Sequence, residues 1–243
     1  NNRRMDKSIK FKEYTIVWRN FIMRIILASQ GFTTDEIEKE VSKIVGKPAN
    51  EIDIAIINEA IYGISGDKSK RWLINELSNI EKHIGGKIDF VNFRVYSKEE
   101  IENRLLKADL IYLVGGKQFE YSKLFNETDT AKIIKDIAHK KVIMGTSAGA
   151  IVLGTQIQSK EFWNNRYNIE FEDIKYSELN LVSFNIIPHY LREDHKQWTR
   201  DFLNETLENN PFPVYAIQDT QAIAYIDGKI KYIGGKPDIF GKL

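Results

Sequence analysis

A single serine within a run of small residues is the feature of this sequence best suited to do chemistry. The stretch VIMGTSAGAIVLG, Val142 to Gly154, places Ser147 in the pattern Gly-x-Ser-x-Gly. The residues before it predict a buried strand and those after it predict a helix. A sharp strand-to-helix turn presents a serine hydroxyl beyond the end of a sheet, where it can act as a nucleophile. Small residues at a strand-helix crossing also serve plain packing, so Ser147 needs partners before catalysis is inferred.

A serine nucleophile requires a base, and the chain has four histidines. His83 and His139 fall near the ends of predicted helices, where a positive charge is mildly favoured, and neither needs a catalytic role. His189 ends the apolar run NIIPHY, where a predicted strand stops, so it can meet a nucleophile at the same sheet edge. His189 is therefore the first candidate base and His195, which begins the next helix, the second. A histidine that only closes a strand is the open alternative.

An acid should orient the base and stabilise its charged form. The carboxylates that could do so are Glu161, Glu170, Glu172, Asp173 and Glu178, before His189, and Asp219, at the end of the run PVYAIQD. Spacing does not choose among them, and most are expected to be ordinary surface charges.

Two backbone amides should stabilise the negative charge that develops on the attacked carbonyl oxygen. One is the amide of Ala148, the residue after the serine. The other is predicted to come from Gly115 or Gly116, which end the run DLIYLVGG and permit a close approach. The same glycines would also suit a tight strand-to-helix turn.

The elements that must position these groups alternate along the chain from Met23. The runs MRIILAS, IDIAIINEA, KIDFVNFRV, DLIYLVGG and KVIMG predict strands, with amphipathic helices between them. A threonine at the start of TTDEIEKEVSKIV and the pair Ser97 and Glu100 are typical of helix N-termini. This alternation predicts an α/β fold with a doubly wound, mostly parallel sheet.

The second part of the chain has a different pattern. The runs NLVSFNIIPHY, PVYAIQD, QAIAYIDG and KIKYIGG predict strands, and one helix is expected from about Glu193 to Leu207. Because no repeat, low-complexity tract or linker interrupts the sequence, residues 23–243 are predicted to form a single domain. Residues 1–22 are predicted to be an extension that either is not native or packs on the domain surface.

The composition excludes several kinds of partner and binding site. The 243 residues carry a formal net charge of +1, so neither nucleic acid nor a membrane surface is expected as a partner. The chain has no cysteine, which excludes disulfides and thiolate metal sites and suits a cytoplasmic location. No histidine pair has the spacing of metal ligands on a helix, and no Walker pattern is present. No metal and no cofactor are expected.

The landmarks LVGGKQF, MGTSAGA and IIPHY, in this order, resemble the S51 peptidase family, which includes aspartyl dipeptidase (peptidase E) and cyanophycinase. The likeness covers most of the chain from Met23. It implies a class I glutamine-amidotransferase-like, flavodoxin-like three-layer fold and a Ser-His-acid arrangement. By motif, Ser147 looks like the nucleophile and His189 like the base, with Gly115 and the Ala148 amide binding the oxyanion.

The resemblance is less direct for the acid and the substrate-binding residue. The family places its acid shortly after the nucleophile helix, where this chain reads QIQSKEFWNN, so Glu161 is the expected acid and Asp219 the second choice. In EDHKQWTRDF, Arg200 falls where aspartyl dipeptidases carry an arginine suited to an acidic substrate side chain. A surface arginine paired with a neighbouring carboxylate is the open alternative. Lys117 stands where the family often has Asn.

The expected function is a cytoplasmic serine peptidase, monomeric or homodimeric, that hydrolyses short peptides through an acyl-enzyme. Dipeptides with N-terminal Asp are the substrates that the resemblance suggests. The alternatives are a cyanophycinase-like hydrolase and a non-catalytic protein that binds a peptide or small molecule on the same scaffold. An esterase of the α/β-hydrolase type is disfavoured because the chain leaves little room after Ser147 for its later acid and histidine.

Overall fold

The computed structural model describes residues 22–62, 70–155, 164–165, 179–209 and 211–241. In these ranges the strands are β1 Arg24–Ala28, β2 Ile54–Ile57, β3 Ile88–Phe90, β4 Leu110–Leu113, β5 Val142–Thr146, β6 Asn185–Ile187, β7 Val214–Ala216, β8 Ala222–Ile226, β9 Lys229–Ile233 and β10 Asp238–Phe240. The α-helices are α1 Asp35–Val45, α2 Arg71–His83, α3 Lys98–Lys107, α4 Gln118–Thr128, α5 Ala131–Ile137, α6 Ala148–Leu153 and α7 Lys196–Asn209.

A seven-stranded sheet with the order β3-β2-β4-β5-β1-β8-β9 organises the molecule. The first five strands of this order are mutually parallel, and β8 and β9 extend the sheet antiparallel beyond β1. A small second sheet, β10-β7-β6, pairs β6 with β7 in parallel and β10 with β7 antiparallel. The predicted α/β fold with a mostly parallel sheet is confirmed.

Helices cover both faces of the large sheet. Along β1, Ile25 and Leu27 belong to one apolar cluster, whereas Ile26 and Ala28 belong to another. Helices α1 and α2 contribute buried residues to the cluster of Ile26, and α3 to α6 contribute to the cluster of Ile25. Burial on both faces explains why the parallel strands are almost continuously apolar in the sequence.

The predicted helix starts are confirmed at atomic detail. The Thr34 side chain accepts a hydrogen bond from the amide of Ile37 at the start of α1. Ser97 accepts one from the amide of Glu100 at the start of α3. These bonds satisfy amides that lack a partner inside the first helical turn.

The strand predictions differ from the structure in places; the run NLVSFNIIPHY, for example, forms a strand only over Asn185–Ile187. The run KIDFVNFRV pairs only over Ile88–Phe90, because beyond it the chain turns and the Phe93 amide donates to the buried Glu59 carboxylate instead of to a strand. Strand β10 was not predicted, since it is a three-residue strand paired only with β7 and has no apolar alternation.

The predicted extension, residues 1–22, lies outside the described residues except for its last residue. Within the described ranges, no helix is both long enough and apolar enough to cross a bilayer.

Candidate active site

Ser147 occupies a strained turn between β5 and α6. Its φ of 48° and ψ of −115° are uncommon for a residue with a side chain. The backbone amide of Ser147 donates to the carbonyl of Ala28 at the end of β1, at 3.0 Å. This geometry is typical of a nucleophile elbow, in which the serine projects from the carboxyl edge of the sheet.

The small residues around Ser147 permit close contact between helix and strand. A Cβ added to Gly145 would lie 2.3 Å from the carbonyl oxygen of Gly149, and one added to Gly149 would lie 2.1 Å from that of Leu113. Backbone therefore packs on backbone at both positions, and no side chain fits there. A Cβ on Gly115 would lie 3.2 Å from the Cβ of Ser147, so Gly115 is the immediate neighbour of the serine.

His189 and Asp219 extend a line of hydrogen bonds from the serine. The Nε2 atom of His189 lies 3.1 Å from Ser147 Oγ, and its Nδ1 atom lies 2.6 Å from Asp219 Oδ1. His189 follows β6 and Asp219 follows β7, which are parallel neighbours in the small sheet. The carboxyl ends of three strands thus bring together a nucleophile, a base and an acid.

Asp219 is held by polar groups on several sides. The Ser29 hydroxyl donates to its Oδ1 at 3.0 Å and accepts from the His189 amide at 2.7 Å. Thr33 donates to the Asp219 carbonyl, and Arg192 lies 3.3 Å from its Oδ2. Burial alone would raise the pKa of Asp219, but the bonds and charge of His189, the Ser29 hydroxyl and the charge of Arg192 lower it to about 2. The carboxylate stays ionised at neutral pH.

Of the predicted acids, the structure places Asp219, the second choice, against His189. Glu161, the first choice, lies outside the described residues, as do Glu170, Glu172, Asp173 and Glu178. His195, the second candidate base, lies with its ring centroid 4.9 Å from that of His189, where it contacts Arg192. Burial is the main cause that lowers the pKa of His195.

The residues predicted to stabilise the oxyanion lie at the same edge. Gly115 and Gly116 line a cavity with Ser147, and Ala148 begins α6. Gly116 has a φ of 137°, and a Cβ there would lie 2.4 Å from the carbonyl oxygen of Ala60, so the turn requires glycine. The Gly115 amide lies close enough to the carboxyl group of Glu76 to lower its pKa. The hydrogen bonds found among the described residues leave the amides of Gly116 and Ala148 free to face a ligand.

Arg200, the predicted substrate-binding residue, does not line the cavity. It is exposed on α7 and its guanidinium contacts the side chain of Gln197, one turn earlier. The buried face of this helix carries Thr199 and Phe202, which directs Arg200 away from the cavity. The arginine that lines the cavity is Arg192, which pairs with Asp194 as well as with Asp219.

The cavity has a volume of about 390 Å³. Its lining residues are Ser29, Gln30, Trp72, Glu76, Asn79, Gly115, Gly116, Thr146, Ser147, His189, Arg192, Asp194 and His195. Ser29, Arg192 and Glu76 were not identified from the sequence as members of the site. One sequence feature could have indicated Glu76 as a member of the site. It is a charged residue on the otherwise apolar face of α2, between Trp72 and Ile80.

One cluster away from the cavity has the residue types of a metal site. Asp35, Glu38 and His83 place possible ligand atoms within 4.8 Å of one another. The Nδ1 atom of His83 already lies 2.7 Å from Glu38, and its ring stacks against Phe32 with centroids 6.3 Å apart. These contacts join the end of α2 to α1 without an ion.

Comparison with known proteins supports a common origin with a family of peptidases. The family model for peptidase family S51 matches residues 26–233. An uncharacterised peptidase of Listeria monocytogenes is 30% identical over 150 residues, which are 60% of this chain and 70% of the relative. A protein named peptidase E from Streptomyces coelicolor is 30% identical over 141 residues, 56% of each chain.

Solved structures share the fold. A crystal structure of a candidate peptidase E from Listeria monocytogenes has a TM-score of 0.68 at 20% identity, covering 87% of this chain and 98% of that one. A peptidase from an acI-B1 actinobacterium has a TM-score of 0.56 at 16% identity, covering 90% and 94%. These neighbours confirm the flavodoxin-like three-layer fold. Because the family model matches nearly the whole domain, the chain belongs to peptidase family S51.

Proposed function

We propose that this peptidase cleaves short peptides by a serine mechanism in which Ser147 is the nucleophile, His189 the base and Asp219 the acid. The observation that carries the proposal is the continuous line of hydrogen bonds, 3.1 Å from Ser147 to His189 and 2.6 Å from His189 to Asp219. Peptide hydrolysis is the general activity of the family; the serine mechanism and the residue roles are inferred from this geometry.

The reaction follows from the positions of the three side chains. Ser147 Oγ attacks the peptide carbonyl carbon while its proton passes to His189 Nε2. The amides of Gly116 and Ala148 stabilise the resulting oxyanion. The carbon-nitrogen bond then breaks and His189 returns the proton to the leaving amine. Water, deprotonated by His189, hydrolyses the ester on Ser147 and releases the acid product.

Asp219 contributes through its charge. It holds the imidazole by Nδ1, so that Nε2 accepts the serine proton, and it stabilises the imidazolium. A carboxylate with a pKa of about 2 remains negative throughout this cycle at neutral pH.

The cavity favours a small substrate with an acidic N-terminal residue. Its volume, about 390 Å³, suits a dipeptide-sized ligand better than a long chain. Arg192 lies half-buried in the wall near His189 and offers a guanidinium to a substrate carboxylate. We therefore assign to Arg192 the acid-binding role that the sequence analysis gave to Arg200.

Labelling with a fluorophosphonate probe tests the nucleophile. The wild-type chain should be labelled, and folded Ser147→Ala should not. A folded wild-type chain that is never labelled and releases no product from peptides would instead be the non-catalytic binding protein.

A panel of Asp-X, Glu-X and neutral dipeptides tests the acid specificity. Arg192→Gln should reduce the ratio of kcat/KM for Asp-X to that for a neutral dipeptide by about tenfold, since one charge-assisted contact is lost. Arg200→Gln is the matched control and should leave the ratio within about twofold. The assignment is wrong if the ratio changes in Arg200→Gln and not in Arg192→Gln.

A further inference from the structure

Glu76 is a buried carboxyl group in the wall of the cavity that the proposed mechanism does not use. It is 8% exposed and lies on α2, one turn from Trp72 and one turn from Asn79, which line the same cavity. One face of α2 thus presents an indole, a carboxyl and an amide to the space beside Ser147. A helix face of this composition is unusual next to an apolar core and suits a polar ligand group.

The contacts of Glu76 are all with neutral donors. The Tyr112 hydroxyl donates to its Oε1 at 2.8 Å, and the Gly115 amide lies close enough to the carboxyl group to lower its pKa. Among the described residues, no lysine, arginine or histidine forms an ion pair with Glu76. Buried carboxylates are normally paired with a cation. Glu76 lines the cavity but has no cationic partner among the described residues, so a bound ligand could supply the positive charge.

The position of Glu76 relative to the nucleophile defines where that charge would come from. Gly115 is adjacent to both, since its amide is close enough to lower the pKa of Glu76 and a Cβ added to Gly115 would lie 3.2 Å from the Cβ of Ser147. In a peptide, the α-nitrogen is two covalent bonds from the carbonyl carbon of the same residue. A substrate whose carbonyl carbon lies at Ser147 therefore carries its N-terminal ammonium into the neighbourhood of Gly115 and Glu76.

We propose that Glu76 binds the free α-ammonium group of the substrate's N-terminal residue. This inference rests on the proposed function and assigns the recognition of the unblocked N-terminus of a dipeptide substrate to one residue. The subsite complements Arg192, because an N-terminal aspartate carries an ammonium for Glu76 and a carboxylate for the arginine. Burial raises the pKa of Glu76, which means that the ionised form is unfavourable in the free protein. A bound cation would stabilise the ionised form, and this supports the assignment.

A set of matched substrates tests the subsite in the unmodified enzyme. The α-p-nitroanilide of aspartate is compared with its N-acetyl derivative and with the mono-p-nitroanilide of succinate, which lacks only the amino group. We expect kcat/KM for the free amine to exceed that for the deamino compound by about 10- to 100-fold, as for a charge-assisted hydrogen bond. Equal rates for the two would overturn the proposal without any mutation.

Variants of Glu76 test whether this residue causes the preference for a substrate with a free amino group. Glu76→Gln keeps the shape of the side chain and the bond to Tyr112, so it should lower the rate on the free amine to within about threefold of the rate on the deamino compound. Glu76→Asp keeps the charge and should retain part of the preference. Glu81→Gln, an exposed residue on the same helix, is the control and should behave as wild type. A loss of the same size on all three substrates in Glu76→Gln would show that Glu76 only holds the Gly115 turn.

A binding measurement separates failure of this inference from failure of the proposed mechanism. Calorimetry on Ser147→Ala, which needs no catalysis, should show tighter binding of an aspartyl dipeptide than of its deamino analogue. If fluorophosphonate labelling fails and this difference persists, the serine mechanism is wrong and the ammonium subsite stands. If labelling succeeds and binding shows no difference, the subsite is wrong and the mechanism stands.

Discussion

The carboxyl groups of Asp219 and Glu76 are both near Ser147, yet their surroundings change their pKa values in opposite directions. Asp219 reaches the serine through His189, and Glu76 reaches it through Gly115. Burial acts on both in the same sense, by raising the pKa. The pKa of Asp219 nevertheless falls to about 2, whereas that of Glu76 rises to about 7.

The partners of each group account for the difference. Asp219 faces His189 and Arg192, both of which can be positive, and also accepts from the Ser29 hydroxyl. Among the described residues, Glu76 faces a tyrosine hydroxyl and a backbone amide, which do not outweigh the cost of burial. A carboxylate that is always charged suits the task of orienting a base, and one whose charge depends on a ligand suits binding.

Removal of the charge of Asp219 should have the largest effect. In Asp219→Asn the amide can hold His189 in the wrong tautomer, so kcat should fall by about 10³- to 10⁴-fold with little change in KM. Steady-state kinetics on an aspartyl dipeptide and the rate of fluorophosphonate labelling measure the loss.

Two carboxylates serve as controls for this variant. Asp227 lies in the turn between β8 and β9, where its φ of 48° also suits asparagine. Asp227→Asn should therefore have normal activity. Glu161→Gln tests the acid first expected from the sequence and should also remain active. If Glu161→Gln loses activity and Asp219→Asn keeps it, the acid is Glu161.

Removal of the charge of Glu76 should have the second-largest effect. It should change how the free energy of unfolding depends on pH. Glu76 binds its proton more tightly in the folded chain, with a pKa of about 7 in place of 4.5. The stability that this proton supplies is complete below pH 4.5 and is lost as the pH rises through about 7. Without ligand, Glu76→Gln should therefore gain about 3 kcal/mol relative to wild type between these limits.

Urea unfolding at several pH values measures this difference. Glu81 is exposed, so the free energy of unfolding of Glu81→Gln should differ from that of wild type by a constant amount across the same pH range. A constant difference for Glu76→Gln as well would mean that the folded chain does not raise the pKa of Glu76, and the contrast with Asp219 would disappear.

Features that depend on residues close together in the chain could be predicted from the sequence. Strand and helix identities followed from periodicity, and the turn at Ser147 followed from residues that adjoin in the chain. His189 could be identified because it ends a predicted strand, although that strand, β6, lies in the small sheet and not in the sheet that carries Ser147.

The remainder of the site depends on contacts between distant parts of the chain. Asp219 meets His189 because β6 and β7 pair in a small second sheet, a pairing that no local pattern indicated. Ser29 is 190 residues from Asp219 and was seen only as the end of β1. Arg192 precedes α7 and lines the cavity, whereas Arg200, eight residues later, lies on the exposed face of α7.

Removal of the Ser29 hydroxyl should have the smallest of the three effects and test how Asp219 is kept ionised. The hydroxyl donates to Asp219 and accepts from the His189 amide, so Ser29→Ala removes one of the bonds that lower the pKa of Asp219. We expect kcat to fall about tenfold, the size of one hydrogen bond to a charged group.

Ser122→Ala is the matched control for Ser29→Ala, since Ser122 is equally buried and its hydroxyl has no partner in the described structure. Its activity should equal that of wild type. Because His189 and Arg192 continue to stabilise the carboxylate in Ser29→Ala, its loss must stay well below that of Asp219→Asn. Equal losses would mean that Ser29 positions His189 itself, and that the bond to the His189 amide matters more than the charge on Asp219.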